Sequence, residues 1–298
     1  MNTVWSDHIQ GIDTLFTSRA LRFADCFSPQ YLPLFALPDD KPIRILEIGC
    51  GPGALAAALR RHYPLAEIIG LDRDSAFVDY ARAHVSGVTF VEGDATALPF
   101  PDGSFDVTIS NTVAEHIEPS AFYGEQRRVL KEGGVCLVLS SRKGISAMPE
   151  EPSTAFENEF WSTVQTYDNT MKEHGICQYP QSEMQMPVTM TEHGFERVTS
   201  GYIVADLTPD DPKYPPEMAR AMLRSRRVGE LDAIASTRHT LPEHISEEQV
   251  KEMTALANAR HDARLARFER GEKMWDTSVS IIMVLRGVKA TENGGAPC

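Results

Sequence analysis

One stretch decides the fold of this chain: Ile45-Leu46-Glu47-Ile48-Gly49-Cys50-Gly51-Pro52-Gly53. An apolar segment of strand length ends here in three glycines, and residues 54–62 follow with the alanine- and leucine-rich composition of a helix. Glycine has no Cβ, so the backbone can turn sharply at these positions and approach a bound ligand closely. The stretch predicts a strand, a turn and a helix, although three glycines alone also fit a turn that binds nothing.

The acidic residue before this turn indicates what the turn can bind. The glycines follow the pattern G-x-G-x-G, whereas dinucleotide-binding folds prefer G-x-G-x-x-G. Glu47 lies two positions before Gly49, where a carboxylate repels a pyrophosphate and attracts an ammonium group. The turn therefore favours a ligand with an amino group over a dinucleotide.

Strands and helices alternate outward from this turn, between residues 43 and 141. Such alternation predicts a parallel sheet with helices on both faces. The predicted strands cover 43–48, 67–71, 88–92, 105–110 and 135–139, and the predicted helices cover 54–62, 75–84 and 120–130. Two further strands, 198–205 and 278–285, complete an α/β fold with a seven-stranded, mostly parallel sheet.

Three segments are predicted along the chain. Residues 41–206 and 276–290 form the core, residues 1–40 form N-terminal helices, and residues 207–275 form a helical insertion. Ser246 and Gln249 predict a capping box at the start of the last helix of that insertion. Ligands of such folds bind at the carboxyl ends of the strands. The helical segments are therefore expected to form a cap over the site, and an interface in a homodimer is the alternative.

Acidic residues also follow the second and third predicted strands. Asp72 closes the second strand, where a carboxylate can accept hydrogen bonds from both hydroxyls of a ribose. Asp74 is better suited to capping the following helix. Asp94 follows the third strand, where it can accept from an adenine amino group while the backbone of Ala95 meets the ring edge.

Five motifs in this region resemble those of class I methyltransferases in order and spacing. They are ILEIGCGPG, GLDRD, VEGDATALPFPDGSFDVTISN, TVAEHIEP and RRVLKEGG, within residues 41–141. The chain resembles above all the broad group that includes the ubiquinone and menaquinone C-methyltransferases and many small-molecule enzymes. The resemblance implies a Rossmann-like methyltransferase fold and S-adenosyl-L-methionine as the cofactor.

The same resemblance implies roles for individual residues. It assigns the methionine part of the cofactor to Glu47, Gly49, Gly51 and Gly53. It assigns the ribose to Asp72, the adenine to Asp94 and Ala95, and the surroundings of the transferred methyl group to Asn111. His116 occupies a position that is often histidine in this family, as a catalytic or a pocket-lining residue. If the reaction needs a general base, the candidates are His8, His116, His174 and Tyr167.

The composition of the chain limits its expected binding partners and its expected cellular location. A formal net charge of −13 disfavours nucleic acid, and the arginines 220, 224, 226 and 227 are interpreted as a solvated helix face. No secretion signal or apolar run long enough for a membrane span is found in the sequence, which predicts a soluble protein. The chain has five cysteines, Cys26, Cys50, Cys136, Cys177 and Cys298. No two of them form a CxxC pair, which predicts reduced thiols, a cytoplasmic location and no metal site.

Three classes of function remain open. The first is a methyltransferase with a small-molecule acceptor, and the second is a methyltransferase acting on a protein or peptide. The long cap favours the first because it narrows access to the site. The third class, a nicotinamide-dependent oxidoreductase, is disfavoured by the glycine spacing and by Glu47.

Overall fold

The computed structural model describes residues 5–147, 154–167 and 176–291. The chain divides into two compact units. The sheet unit consists of Arg22–Lys143, Cys177–Ala205 and Ile281–Cys298, and the helical unit of Met1–Leu21, Gly144–Ile176 and Asp206–Ser280.

Seven strands form one sheet in the order β3-β2-β1-β4-β5-β7-β6. They are β1 (Arg44–Ile48), β2 (Glu67–Asp72), β3 (Thr89–Glu92), β4 (Phe105–Asn111), β5 (Leu130–Ala147), β6 (Phe195–Asp206) and β7 (Thr277–Lys289). The first five pair in parallel, so the predicted mostly parallel α/β sheet is confirmed. Strand β5 is much longer than the predicted 135–139, because its ladder with β7 continues beyond the residues that pair with β4.

The last strand runs against its neighbours. The Lys289 ammonium, at the end of β7, donates to Leu130 O at the start of β5, at 2.8 Å. The Leu207 amide, just after β6, donates to Ser278 O at the start of β7, at 2.9 Å. β7 is therefore antiparallel to both strands, and β6 runs parallel to β5. The carboxyl ends of all strands except β7 lie at one edge of the sheet.

Ten α-helices occur in the described ranges. They are α1 (Trp5–His8), α2 (Ile12–Arg22), α3 (Ser28–Phe35), α4 (Ala54–His62), α5 (Ser75–His84), α6 (Pro119–Val129), α7 (Ala155–Thr166), α8 (Gln185–Glu192), α9 (Pro216–Thr240) and α10 (Glu247–Glu269). None of those described is long and apolar enough to cross a membrane.

The core of the sheet unit is formed by the apolar residues of its strands and helices. Four of the five residues of β1 are fully buried, as expected for a parallel strand that is covered on both faces. Helix α4 buries Leu55 and Leu59 at helical spacing. Apolar burial of this kind contributes about 25 cal/mol for each Å² removed from water.

The N-terminal residues divide differently from the predicted 1–40 segment. Residues 22–40 belong to the sheet unit, because the aromatic side chains of α3 pack there. The hydroxyl of Tyr31 lies 3.0 Å from His62 Nε2. The amide of Gln30 both donates to and accepts from the backbone of Val204, at 3.0 and 2.8 Å, which closes part of the outer edge of β6.

Two long antiparallel helices, α9 and α10, dominate the helical unit. Phe160 of α7 joins Ile234 and Met253 in their shared core. The predicted capping box is confirmed: Ser246 Oγ accepts from the Gln249 amide at 3.2 Å, and Gln249 Oε1 accepts from the Ser246 amide at 2.8 Å.

The interpretation of the arginine patch on α9 as a solvated face is wrong for one member. The side chain of Arg226 is only 16% exposed and bonds to the buried Asp276. Arg220, Arg224 and Arg227 pair with Glu269, Asp13 and Asp262. The patch is therefore neutralised by carboxylates from elsewhere in the helical unit.

Candidate cofactor and active site

The glycine turn lies in the sheet unit, at the carboxyl end of β1. Gly49, Gly51 and Gly53 all have left-handed backbone conformations, with φ of +67°, +54° and +87°, which other residues adopt only at a cost in energy. The amides of Gly49 and Cys50 donate to Leu71 O at 2.8 and 3.0 Å, so the turn is anchored to β2. The glycines thus bring bare backbone to the carboxyl edge of the sheet.

Glu47 lies under this turn. It is 1% exposed and pairs in register with Gly70 of β2 and Ile109 of β4. Burying a carboxylate is costly unless hydrogen bonds or a cation offset the lost hydration. This environment suits a positively charged ligand group better than a phosphate.

Asp72 braces the glycine turn. Its Oδ2 accepts from the Gly51 amide at 2.7 Å and its Oδ1 from the Asp74 amide at 3.0 Å. A carboxylate can accept further bonds on its remaining lone pairs, so this bracing is compatible with the ribose role expected for Asp72. Asp74 caps α5 by accepting from the Ala76 amide, which confirms its predicted role.

The loop after β3 lies beside the end of β2. The Gly93 amide donates to Asp72 O at 2.9 Å, which fixes the two loops together. Asp94 is exposed, and its Oδ1 accepts from the amide and the hydroxyl of Thr96, both at 2.8 Å. The half-buried Ala95 follows it in the same loop.

Asn111 is the last residue of β4 and is 2% exposed. Within the described part of the chain, neither its Oδ1 nor its Nδ2 has a hydrogen-bond partner. Buried carboxamides are nearly always hydrogen-bonded in folded proteins, so a bare one at the carboxyl end of a central strand indicates a place for a polar ligand.

His116 follows Asn111 in a short 3₁₀ turn, Ala114–His116. Its Nδ1 accepts from the Cys177 amide at 3.0 Å, and the Tyr179 amide donates to Glu115 O at 2.9 Å. A neutral ring that accepts at Nδ1 carries its proton on Nε2. His116 is therefore poorly arranged to act as a general base through either nitrogen.

Comparison with known proteins identifies the sheet unit. A family model described as a methyltransferase domain matches residues 46–138. The fatty-acid O-methyltransferase of Mycolicibacterium smegmatis is 40% identical over 103 residues, which are 33% of this chain and 37% of that protein. The demethylmenaquinone methyltransferase of Thermus thermophilus is 40% identical over 120 residues, which are 39% of this chain and 51% of that protein. Residues 46–138 thus carry a methyltransferase domain.

Solved structures give the same fold. Two structures of phosphoethanolamine N-methyltransferase 2 from Haemonchus contortus superpose with TM-scores of 0.52 and 0.53, at 18% and 17% identity. Both superpositions cover 96% of this chain, and they cover 60% and 59% of the two Haemonchus contortus chains. The chain spans about half the length, or less, of the two curated relatives that it matches in sequence.

The remaining base candidates do not lie in the described part of the methyltransferase domain. Tyr167 stacks on His244 in the helical unit, with ring centroids 3.6 Å apart. His174 and the side chain of His8 lie outside the described residues. No motif predicted the contacts of Cys177 and Tyr179, because they join segments more than sixty residues apart.

Proposed function

We propose that this chain binds S-adenosyl-L-methionine and transfers its methyl group to a small-molecule acceptor. The observation that carries the proposal is the bare, buried carboxamide of Asn111 beside the glycine turn. In a class I methyltransferase domain, this is the place for the methionine end of the cofactor.

The residues present fit that cofactor group by group. Glu47 suits the ammonium group of the methionine part, and the left-handed glycines turn the backbone at the carboxyl end of β1, above Glu47. Asp72 and Asp94 are carboxylates at the ends of neighbouring strands, and a carboxylate oxygen can accept more than one hydrogen bond, which suits them to ribose hydroxyls and to the adenine amino group. Asn111 can both donate and accept, which suits a zwitterionic amino acid.

The cofactor supplies an activated methyl group, so the chain has to orient it, align an acceptor and exclude water. Asn111 and Glu47 are buried and fixed on strands, which suits them to orienting the methionine end. His116 is held by the Cys177 amide and is proposed to line the acceptor site rather than to remove a proton. An acceptor that is already a good nucleophile needs no base from the protein.

The class of the acceptor is inferred from the relatives. The relatives named above act on a fatty acid and on demethylmenaquinone, and we propose a small organic acceptor on that basis. Action on a protein or peptide is the second candidate, because the matched region does not include the parts that select acceptors. The four described cysteines form no disulfide bond with one another, which supports a cytoplasmic location.

Calorimetry can test cofactor binding directly. S-adenosylhomocysteine should bind in a 1:1 ratio, and NAD should not bind. Asn111→Leu should weaken binding of S-adenosylhomocysteine at least tenfold. Asn158→Leu, at an exposed position of α7, should leave that binding unchanged. Binding of NAD alone would contradict the proposal. Labelled cofactor offered with fatty acids, quinols, amines and a peptide library would then separate the two candidate functions.

A further inference from the structure

A second groove lies in the sheet unit, away from the glycine turn. It has a volume of about 570 Å³ and opens where β6 begins and β7 ends. This is the edge of the sheet opposite to the carboxyl ends of the parallel strands. The residues that line the groove are Asp102, Gly124, Arg127, Arg128, Glu192, His193, Gly194 and Lys289.

The three permanent cations of this groove differ in their surroundings. Arg128 bonds to Glu125 and Asp102 and to two backbone carbonyls. Lys289 pairs with Glu132 at 3.0 Å. Arg127 makes no ion pair or hydrogen bond with any described residue, and its Nε is buried. An arginine without a carboxylate is unexpected in a chain with 42 acidic and 29 basic residues.

Two glycines keep space around Arg127. Gly194 has a φ of +86°, and a Cβ there would lie 2.8 Å from Arg127 Nε. Gly124 lies one turn before Arg127 on α6, and a Cβ there would meet no atom within 4 Å. The guanidinium therefore lies against bare backbone, with open space beside it.

A histidine and two carboxylates complete the lining of the groove. His193 Nδ1 lies 2.7 Å from Thr189 O and donates to it, so Nε2 is the nitrogen that can take up a proton. Glu192 and Asp102 are exposed carboxylates at the rim, and Asp102 is already paired with Arg128.

We propose that this groove binds the phosphate group of a small molecule, with Arg127 as its principal ligand. The planar guanidinium can donate two parallel hydrogen bonds to phosphate oxygens. Arg128 and Lys289 add positive charge, and His193 adds a donor when protonated. The site is separate from the methyl-transfer site and does not depend on the function proposed above.

Titration of the full chain with inorganic phosphate, followed by calorimetry at constant ionic strength, tests the proposal. Saturable 1:1 binding is expected. Arg127→Gln should weaken it at least tenfold, while Arg220→Gln, which removes the same charge from a paired arginine on α9, should change it less than twofold. Gly124→Leu, which fills the groove without changing charge, should weaken it as much as Arg127→Gln, and Gly124→Ala should have little effect.

Other results would overturn the proposal. Equal phosphate affinity in Arg127→Gln and Arg220→Gln would show that phosphate binds elsewhere or only through overall charge. Acetate binding as tightly as phosphate would make the groove a carboxylate site. Circular dichroism checks that each variant is folded. Affinity for S-adenosylhomocysteine should stay the same in every variant, so a failure here is distinct from a failure of the methyltransferase proposal.

Discussion

Gly49 and Gly103 have nearly the same backbone conformation in different surroundings. Their φ values are +67° and +60°. A Cβ on Gly49 would collide with a methyl group of Val113, whereas a Cβ on Gly103 would have nothing within 4 Å. The pair therefore separates the cost of a left-handed conformation from the cost of crowding.

We expect Gly103→Ala to lower the free energy of unfolding by roughly 1–2 kcal/mol, from backbone strain alone. Gly49→Ala should add about 1–3 kcal/mol from overpacking. The double variant Gly49→Ala/Val113→Ala should recover part of that addition. Urea denaturation measures all three. Equal losses for the two single variants would mean that Val113 does not restrict the turn.

Asp72 braces the glycine turn and is proposed to bind the ribose, so one substitution tests both roles. Asp72→Ala should weaken S-adenosylhomocysteine binding at least tenfold, and it should lower the free energy of unfolding by about 1–3 kcal/mol because the Gly51 and Asp74 amides lose a charged acceptor. Calorimetry and urea denaturation measure the two effects. Asp79→Ala, on the exposed face of α5, is the control and should change neither. A loss of stability with unchanged affinity would leave Asp72 as a bracing residue only.

Helices α7, α9 and α10 are joined by a cluster of charges. Glu230 lies 2.5 Å from Arg260 Nη2 and 2.8 Å from His261 Nε2. Arg260 also bonds to Glu157 of α7. Burial of Glu230 opposes its ionisation, but the hydrogen bond from His261 and the charge of Arg260 outweigh it and lower the pKa of Glu230 below its usual 4.5.

This shift predicts how the stability of the helical unit depends on pH. Because the pKa of Glu230 is lower in the folded chain, the unfolded chain takes up more protons in this range. The contribution of the carboxylate is complete above about pH 4.5 and is lost as the pH falls through the folded pKa. Glu230→Gln should lower the free energy of unfolding by about 1–3 kcal/mol near neutral pH, and the difference from the wild type should shrink below pH 4.5.

Urea denaturation at several pH values measures this dependence. Glu269→Gln is a suitable control, because Glu269 is an exposed residue of α10 that pairs with Arg220, and it should change stability little at any pH. A difference between wild type and Glu230→Gln that is constant from pH 7 to pH 3 would contradict the linkage.

Most helices and strands could be predicted from the sequence because the residues that define them are close together in the chain. The cap residues Asp74 and Ser246 were predictable because they bond to amides two or three residues away. The length of β5 was not, because its far half has no strand pattern of its own and is stabilised by β7, more than a hundred residues later. The support of His116 by Cys177 was hidden for the same reason.

At the scale of the whole chain, buried charges join the two ends of the segment 207–275. Arg264 bonds to Asp276 at 2.6 Å and to Asp210 at 2.8 Å, and Arg226 bonds to Asp276 and to Leu207 O. Asp210 also accepts from the amides of Met274 and Trp275. Sequence patterns cannot reveal such pairs, so the solvated interpretation of the α9 arginines failed at Arg226.

The same segment is proposed to help select the acceptor, because the chain enters it from the carboxyl end of β6. Several of its apolar side chains, including Met222, Leu223 and Met253, are core residues and cannot be changed without loss of stability. Substitutions should therefore target exposed positions, such as Arg224→Glu on α9 and Lys251→Glu on α10. We expect altered acceptor KM with S-adenosylhomocysteine affinity within about threefold, below ~0.7 kcal/mol.

Steady-state kinetics measure the acceptor KM, and light scattering measures the mass in solution. A changed mass with unchanged acceptor preference would favour the homodimer interface over the cap. Unchanged mass and unchanged preference in both variants would remove these faces of α9 and α10 from acceptor selection.

The position of β7 between β5 and β6 has a consequence for synthesis on the ribosome. Seventy residues, 207–276, separate β6 from β7, its neighbour in the sheet. At about 5–20 residues per second, β6 waits roughly 4 to 14 s for β7 to be made. During that time the nascent chain presents an unpaired strand of twelve residues, which is a template for aggregation. Factors that hold nascent chains should therefore affect the yield of this protein more than agents that stabilise its finished fold.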